Sequence, residues 1–293
     1  RVLYMPERLN LVQCAFKSLQ PLEDRGALQS GLVVEPVELK PQGTPDDTLE
    51  ATRMMCKSGC DLLITFGGDG TNRLVAMESG QVPLLPISAG TNNIFPFSCE
   101  GTRAGLVAGI FLKMLNSETD LPSVISVNEL IQQHKFLLAE TDSWSETALI
   151  DLAISRQASL GGRAIWDAEW LKAVFVTRCA PGASGLCGIP GGVMDIPALA
   201  PHGAAAFLGN RFSVQAVLTP GRVQSVGLEA VERMNLHQLH TMEVCEGTVL
   251  ADGERVRELH NEKVRITLHP EGPRVLDFES TLAAGLQHGY FQI

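Results

Sequence analysis

A glycine-rich stretch that carries one acid, Gly67-Gly68-Asp69-Gly70-Thr71, has the composition of a phosphate-binding loop. Glycines let the backbone turn sharply and approach a ligand closely, and free N–H groups at the start of a following helix favour an anion. A carboxylate in such a loop repels phosphate unless it holds a metal ion, orients a hydroxyl or accepts its proton. Asp69 is therefore the candidate catalytic residue, and its four neighbours are candidate nucleotide ligands. Glycine and aspartate also favour tight turns, so composition alone leaves a purely structural turn open.

A second loop, residues 88–93, supports the interpretation as a ligand site. It follows the next apolar run along the chain, just as the first loop follows the run 61–66. Loops at neighbouring carboxyl ends of parallel strands line one crevice, where ligands of open α/β sheets bind. The candidate nucleotide ligands in this loop are Gly90, Thr91, Asn92 and Asn93, because asparagine offers donors and acceptors to ribose hydroxyls. The sequence contains no Walker P-loop and no G-x-G-x-x-G motif, so it does not favour a P-loop kinase or a Rossmann dehydrogenase.

Short apolar runs alternate with helical patterns over the first 115 or so residues, which predicts βαβ units around a parallel sheet. Thr44 offers a helix cap, Pro45 fits the first helical position and two acids follow, so a helix should begin there. The predicted strands are residues 2–5, 31–39, 61–66 and 83–88, and the predicted helices are residues 9–19, 44–59, 72–79 and 101–116. The two candidate loops therefore follow the third and fourth strands.

From about residue 120 the pattern changes to β-like runs separated by glycine, proline and charged turns, which predicts an antiparallel β domain. Its expected strands are residues 135–139, 147–155, 212–218, 243–251 and 263–269, with a helical interval near residues 167–176. Residues 281–288 have helical spacing, and we expect this helix to pack back on the first domain. The predicted fold class is α/β, with a Rossmann-like domain (1–118 plus 278–293), an all-β, antiparallel sandwich-like domain (119–277) and the site between them.

The 293 residues carry a formal net charge of −10, which provides no basic footprint for nucleic acid or for an anionic membrane. The longest apolar stretch near a helical pattern, residues 104–112, is shorter than the roughly 20 residues that a spanning helix needs. Seven cysteines, an odd number, argue against a disulfide framework and favour a reducing cytoplasm. Cys56 and Cys60 have no second Cys or His pair nearby, so we expect packing there and no bound metal.

Other residue types that do chemistry are scattered along the chain. His237 and His240 are spaced like a helical metal pair, but no acid or cysteine cluster accompanies them, so we expect no metal there either. The tryptophans at 144, 166 and 170 are expected to pack in the interior. Three basic residues could reach a phosphate across the crevice, with a solvated surface as the alternative: Arg163, Lys172 and Arg178.

Four stretches resemble, in order, the motifs of the NAD-kinase-like superfamily, and together they span nearly the whole chain. Ile64 to Thr71 resembles the Gly-Gly-Asp-Gly-Thr signature of NAD kinases, which diacylglycerol and sphingosine kinases share more loosely. The other stretches, residues 148–151, 182–192 and 251–253, resemble the second motif, the glycine-rich third motif and a late Asp-Gly turn. The run 85–93 resembles one branch of the superfamily, the acetoin-catabolism proteins X.

The resemblance implies an ATP-dependent small-molecule kinase, with ATP and Mg²⁺ as cofactors, that acts on NAD or a related hydroxyl substrate in acetoin catabolism. Asp69 would activate the acceptor hydroxyl, while Asp151 and Ser184 would join the two loops in binding nucleotide. We also expect the chain to bind further copies of itself and to form a homo-oligomer.

Two alternative functions stay open. Ile150 stands where NAD kinases carry an Asn that contacts the dinucleotide, and this departure favours a non-catalytic nucleotide sensor that acts through a partner in acetoin metabolism. A lipid kinase shares the first motif, but the sequence contains no basic or amphipathic element suited to a membrane surface.

Overall fold

The structure, a computed structural model, describes residues 1–24, 32–90, 93–117, 125–157, 168–219 and 221–292. In the N-terminal part, strands β1 to β4 are Val2–Tyr4, Val34–Pro36, Leu63–Gly67 and Leu84–Ser88, and helices α1 to α4 are Leu11–Asp24, Pro45–Lys57, Asp69–Glu78 and Gly101–Ser117. Strands and helices alternate as the sequence predicts. The second predicted strand is shorter than expected, and residue 31 at its start lies outside the described residues.

In the C-terminal part, strands β5 to β14 are Ile131–Gln133, Phe136–Glu140, Ser145–Ala148, Asp151–Ser155, Leu171–Val176, His202–Thr219, Arg222–Asn235, His240–Ala251, Glu254–His269 and Arg274–Leu276. Helices α5 and α6 are Gly188–Gly191 and Phe278–Gln287. Extended strands dominate this half, in agreement with the expected change of texture near residue 120.

Local sequence explains where α2 begins and ends. The Asp47 carboxylate accepts hydrogen bonds from the backbone N–H groups of Gln42 (2.9 Å) and Gly43 (2.6 Å) just before the first turn. These bonds, that of Gln42 first, hold the pKa of Asp47 below its usual range. Pro45 has no N–H to lose at the start of the helix. Gly59, with φ of +73°, adopts the left-handed conformation that commonly ends a helix.

The α/β part is organised around a four-stranded sheet with the order β3-β4-β14-β5. β3, β4 and β14 are parallel, and β5 runs antiparallel to β14. β1 and β2 form a separate parallel pair. The strands β5 and β14 come from the segment that the sequence predicts to be the β domain, so chain from both halves builds this sheet. The boundaries 1–118, 119–277 and 278–293 remain a prediction.

Helices α4 and α6 cover one face of this sheet. Their core includes Val107 and Phe111 of α4, Leu276 of β14 and Ala284 of α6, all nearly or fully buried. A Cβ atom on Gly285 would lie 2.7 Å from Ile110, which shows how closely the two helices approach. The C-terminal helix thus lies against the α/β part. Among the described residues, no helix has both the length and the apolar character needed to cross a membrane.

The β-rich part is one eight-stranded sheet with the order β11-β10-β9-β8-β12-β13-β6-β7. All its strand pairs are antiparallel. Both faces of its centre are buried, because alternate residues of β8 enter two different cores: Leu152 and Ile154 on one side, Ala153 on the other. This large antiparallel sheet confirms the β-rich character predicted for the second half.

The helical interval predicted near residues 167–176 is wrong. Residues 171–176 form β9, between β8 and β10, and only the 3-10 turn Ala168–Trp170 before it is helical. A short apolar run does not distinguish a buried strand from a buried helix segment. Val174 and Val176 are β-branched and fully buried in the sheet, where such side chains pack well.

The predicted strand 147–155 is two strands, β7 and β8, which pair with different neighbours. The chain is interrupted at Leu149 and Ile150, whose backbone N–H groups bond to the carboxylate of Asp252 rather than to a neighbouring strand. This interruption creates the functional site described next.

Candidate functional site

The glycine loop lies where β3 ends and α3 begins. α3 starts at Asp69, with Gly68 as its cap, so the helix begins inside the motif rather than at residue 72 as predicted. A Cβ atom on Gly67 would lie 2.7 Å from Cβ of Thr71, and one on Gly68 would lie 2.9 Å from Oδ1 of Asn93. Close packing therefore requires glycine at both positions.

The second loop lies directly beside the first. Gly67 and Ser88 are partners in the pairing of β3 with β4, and the Ala89 N–H donates to the Gly67 carbonyl (3.2 Å). Asn93 Nδ2 donates to Ser88 Oγ (2.9 Å), and Ser88 Oγ donates to the Gly90 carbonyl (2.8 Å). The structure thus brings the two predicted loops together. The candidates Thr91 and Asn92 lie outside the described residues.

Asp69 joins the two loops through hydrogen bonds. Its carboxylate accepts from the backbone N–H of Phe95 (2.8 Å) and of Ile94 (3.1 Å). Burial raises the pKa of Asp69, while the N–H groups of Phe95 and Ile94 and the positive charge of Arg178 act in the opposite direction. Asp69 therefore holds the second loop in place, a role the sequence does not reveal.

Asp252 binds three consecutive backbone N–H groups in the β-rich part. It lies in the turn between β12 and β13, with φ of +49°. Its carboxylate accepts from the backbone N–H of Leu149 (2.9 Å), Ile150 (2.8 Å) and Asp151 (3.2 Å), and its own N–H donates to the Asp151 carbonyl (2.9 Å). Because N–H groups stabilise an ionised carboxylate, this arrangement favours the negative charge on Asp252.

Asp151 is buried and lies beside Asp252, but its side chain is poorly paired. Its Oδ1 atom makes no hydrogen bond with any described residue. Burial raises the pKa of Asp151 well above its usual range, and the charges of Asp252 and Asp69 raise it further, opposed by the Gly253 N–H. Burial also raises the pKa of Asp252 to about 7, against the N–H bonds and the charge of Arg73. Two buried carboxyls that repel each other retain a proton, and the bonding pattern assigns it to Asp151.

Arg178 provides a positive charge next to these acids. Its Nη2 donates to Nδ1 of His134 (3.0 Å), and its guanidinium lies 5.7 Å from the centre of the Phe95 ring. Burial lowers the pKa of Arg178, and Asp69 and Asp252 are among the groups that oppose this effect. Burial also lowers the pKa of His134 to about 3, so its ring is neutral and, since arginine only donates, its Nδ1 is the acceptor. Of the two basic candidates among the described residues, Arg178 reaches the site and Lys172 does not.

The glycine-rich third motif packs beside this cluster. Ser184 precedes a 3-10 turn and forms an isolated bridge with Val217 of β10. Burial raises the pKa of Cys187, three residues further on, and the charge of Asp151 adds to the effect. A Cβ atom on Gly191 would lie 2.2 Å from the Ala180 carbonyl oxygen, so this motif is glycine-rich for reasons of packing.

Several other candidates lie elsewhere or pack in the interior. Lys172 Nζ donates to the Glu243 carbonyl (2.7 Å), between β9 and β12. His240 packs edge-on against Phe175, and His237 against His269. Trp170 is 40% exposed, and its expected role as a packing group stays a prediction. Arg163 and Trp166 lie outside the described residues.

Ile150 is fully buried within the apolar core of the eight-stranded sheet. Its side chain thus belongs to the interior, and its backbone N–H is taken by Asp252. A polar contact from this position to a ligand, of the kind that an asparagine makes in NAD kinases, is absent here.

The arrangement combines what a phosphate-transfer site requires. Glycine backbone at the start of a helix suits phosphate, an ionised carboxylate can orient a hydroxyl, and a guanidinium can neutralise developing charge. Asp69, Asp151, Asp252 and Arg178 influence one another's charge, so they lie within one electrostatic environment.

Comparisons with known proteins give a consistent result. Residues 11–100 match the family model of the ATP-NAD kinase N-terminal domain, and residues 135–271 match that of the acetoin catabolism protein X C-terminal domain. The chain is 30% identical over 298 aligned positions to acetoin catabolism protein X of Cupriavidus necator, covering 98% of this chain and 80% of that protein. A shorter match, 36% identical over 76 residues, relates it to an uncharacterised protein of Archaeoglobus fulgidus, of which it covers 25%.

Proposed function

The chain belongs to the acetoin catabolism protein X family and carries an ATP-NAD kinase-like N-terminal domain, and from that premise we propose that it transfers a phosphoryl group from ATP to a hydroxyl of a small molecule. The acceptor class is NAD or a related hydroxyl compound, and the reaction serves acetoin catabolism in the cytoplasm. The observation that carries the proposal is the position of Asp69, in the first turn of α3 and hydrogen-bonded to the backbone that follows the second loop.

The glycine loop is the proposed site for the ATP phosphates. Gly67, Gly68, Gly70 and Thr71 offer backbone N–H groups at the start of a helix, where an anion is favoured. Asn93 holds the neighbouring loop to Ser88 and packs against Gly68, so both walls of the loop are fixed before a ligand arrives. Such preorganisation lowers the cost of ordering the site on binding.

The described residues contain no group of three acids, histidines or cysteines arranged to hold a metal ion. In the proposed site, Mg²⁺ would bind together with the ATP phosphates, whose charge it would neutralise.

The carboxyls take different parts in the proposed reaction. Asp69 orients the acceptor hydroxyl and accepts its proton through the lone pairs that the Ile94 and Phe95 N–H groups leave free. Asp151, which retains a proton, donates a hydrogen bond to the ligand from the oxygen that lacks a partner among the described residues. Ser184, which precedes the 3-10 turn of the third motif, is a further proposed nucleotide ligand.

The test is the isosteric change Asp69→Asn, which keeps size and turn propensity but removes the proton acceptor. We expect transfer of labelled phosphate from ATP to fall by about 10² to 10⁴-fold, while calorimetric MgATP affinity persists or increases. Acceptors for the assay are a panel of dinucleotides and diols. Asp142→Asn is the control, because the Asp142 side chain is 95% exposed and pairs with Arg265. Equal turnover in Asp69→Asn and wild type would refute the role of Asp69.

A second function, nucleotide sensing without catalysis, is favoured by one observation. The Asp69 carboxylate already accepts three backbone contacts from Ile94 and Phe95, as a purely structural acid would. Under this alternative, wild type and Asp69→Asn both bind MgATP, and neither yields a phosphorylated product with any acceptor of the panel. The homo-oligomer is likewise a proposal, and light scattering of the purified chain tests it.

A further inference from the structure

Arg73 connects the two halves of the site. It lies on α3, one turn after Gly70, and its side chain is only 5% exposed. Its guanidinium contacts three acids of the β-rich part: Glu146 (3.0 Å), Glu254 (2.9 Å) and Asp252 (3.8 Å). A planar guanidinium presents several donors in a fixed geometry, which lysine does not, so it can hold separate partners at once.

The three acids come from different places in the eight-stranded sheet. Glu146 is on β7, Glu254 begins β13, and Asp252 is in the turn that precedes it. A Cβ atom on Gly70 would lie 2.6 Å from Oε1 of Glu254, so the first turn of α3 fits directly against this turn. The contacts of Arg73 thus determine where the glycine loop lies relative to the turn 252–254.

Arg73 also bears on the protons of the site. Its charge is one of the influences that lower the pKa of Asp252, opposing burial and the charge of Asp69. The negative charge of Asp252 in turn raises the pKa of Asp151. Arg178 is the second cation of this cluster, and its positive charge is favoured by both Asp69 and Asp252. Removal of the Arg73 charge therefore makes the ionised form of Asp252 less favourable relative to that of Asp151.

We propose that Arg73 is a positioning residue that fixes the glycine loop against the turn 252–254 and, by stabilising ionised Asp252, places the retained proton on Asp151. The contribution of Arg73 to nucleotide binding and catalysis rests on the proposed function. The location of the proton is a property of the folded chain itself and can be measured without ATP, whereas the positioning of the loop is tested through MgATP affinity.

The experiment follows the aspartate carboxyls by ¹³C NMR against pH in the full chain labelled at Asp Cγ. Asp151→Asn identifies the signals of the coupled pair. In Arg73→Met we expect the titration step of Asp252 to move to higher pH by about one unit or more, because a cation 3.8 Å from its carboxylate is lost. If the methionine variant does not fold, Arg73→Gln replaces it, because glutamine keeps a hydrogen-bond donor but has no charge. We expect the same shift of the Asp252 titration step in that variant.

Two further variants separate charge from structure. Arg73→Lys keeps the positive charge but loses the planar guanidinium that contacts several acids at once. The titration step of Asp252 should therefore stay near its wild-type pH, while the MgATP affinity measured by calorimetry falls by about tenfold or more. Arg53→Met is the matched control, because Arg53 forms an ion pair with Glu78 on the surface of the same domain. In this variant, neither the titration of Asp151 and Asp252 nor the MgATP affinity should change.

The proposal is overturned if the step of Asp252 stays at its wild-type pH in a folded, charge-free Arg73 variant. It is also overturned if Arg73→Lys binds MgATP as tightly as wild type. If wild type itself fails to bind MgATP, the proposed kinase function fails, whereas the NMR titration still decides the role of Arg73.

Discussion

The two halves of the site are built in opposite ways. In the loops of the α/β part, the polar groups pair with close neighbours: Asp69 with Ile94 and Phe95, and Asn93 with Ser88. In the β-rich part, Asp151 is buried with one carboxyl oxygen unpaired among the described residues. The loops thus form a hydrogen-bonded frame around the proposed phosphate site, whereas the β-rich part holds a desolvated acid with hydrogen-bonding capacity to spare.

The largest expected effect concerns the acid that builds the β-rich half. Asp252→Ala removes the acceptor of three buried N–H groups, those of residues 149–151, and we expect a loss of about 4 kcal/mol in the free energy of unfolding. Urea unfolding measures it. The control Asp142→Ala breaks an exposed ion pair with Arg265 and should cost less than about 1 kcal/mol. Similar losses in both variants would show that Asp252 is not the organising group.

A smaller effect is expected in the loop half. Gly67→Ala introduces a Cβ atom 2.7 Å from Cβ of Thr71, and Thr71 cannot move without shifting the helix. We therefore expect the free energy of unfolding to fall by about 2 kcal/mol. Gly105→Ala is the matched control, because nothing lies near its Cβ position in α4. That change should stabilise the protein by about 0.5 kcal/mol. A Gly67→Ala protein as stable as wild type would mean that the loop is looser than the structure shows.

The contrast between the halves also predicts a dependence on pH. Asp151 has a raised pKa, so its contribution to stability is complete below the ordinary range of an aspartate and is lost as pH rises. Asp151→Asn mimics the protonated acid and does not ionise. We expect equal unfolding free energies for variant and wild type near pH 4 and a more stable variant near pH 8. His134, whose pKa is lowered, has the opposite pH dependence but is common to both proteins.

Unfolding curves at several pH values provide this measurement. A constant difference between Asp151→Asn and wild type from pH 4 to pH 8 would contradict a raised pKa at Asp151. It would also remove the reason for assigning a hydrogen-bond donor to that side chain.

The smallest effect is expected outside both halves. Cys56 donates to the Ser79 carbonyl (3.7 Å), and burial raises the pKa of Cys60 to about 12, so both thiols are protonated. Cys56→Ser should therefore lower the unfolding free energy by less than about 1 kcal/mol. Elemental analysis of the purified protein should find no zinc that is lost on mutation. Stoichiometric zinc in wild type alone would contradict this expectation.

Much of the loop half could be predicted because its signals are local. The cap at Thr44, the glycines at 67 and 68, and the alternation of apolar runs determine elements within about ten residues. The sequence was less informative about the strand 171–176, because its short apolar run fits a buried helix as well as a buried strand. Its place between β8 and β10 depends on neighbours elsewhere in the chain.

The β-rich half of the site could be predicted only in part. The resemblance of residues 148–151 and 251–253 to family motifs pointed to both turns, but not to their direct contact across about a hundred residues. Arg73 and His134 gave no signal, since their partners Glu254 and Arg178 are distant in sequence and each residue alone resembles a surface charge or a core histidine. Long-range pairing of this kind depends on the register of the sheet, which local patterns do not determine.

The most direct test of the site is a crystal structure of the full chain with MgATP. We expect the phosphates within hydrogen-bonding distance of the backbone N–H groups of residues 67–71, and the nucleotide in contact with both the four-stranded and the eight-stranded sheet, with Asp69 and Asp151 facing it. Nucleotide bound elsewhere, for example in the groove between Arg156 and Arg222, with no ligand at the glycine loop, would contradict the assignment of the site.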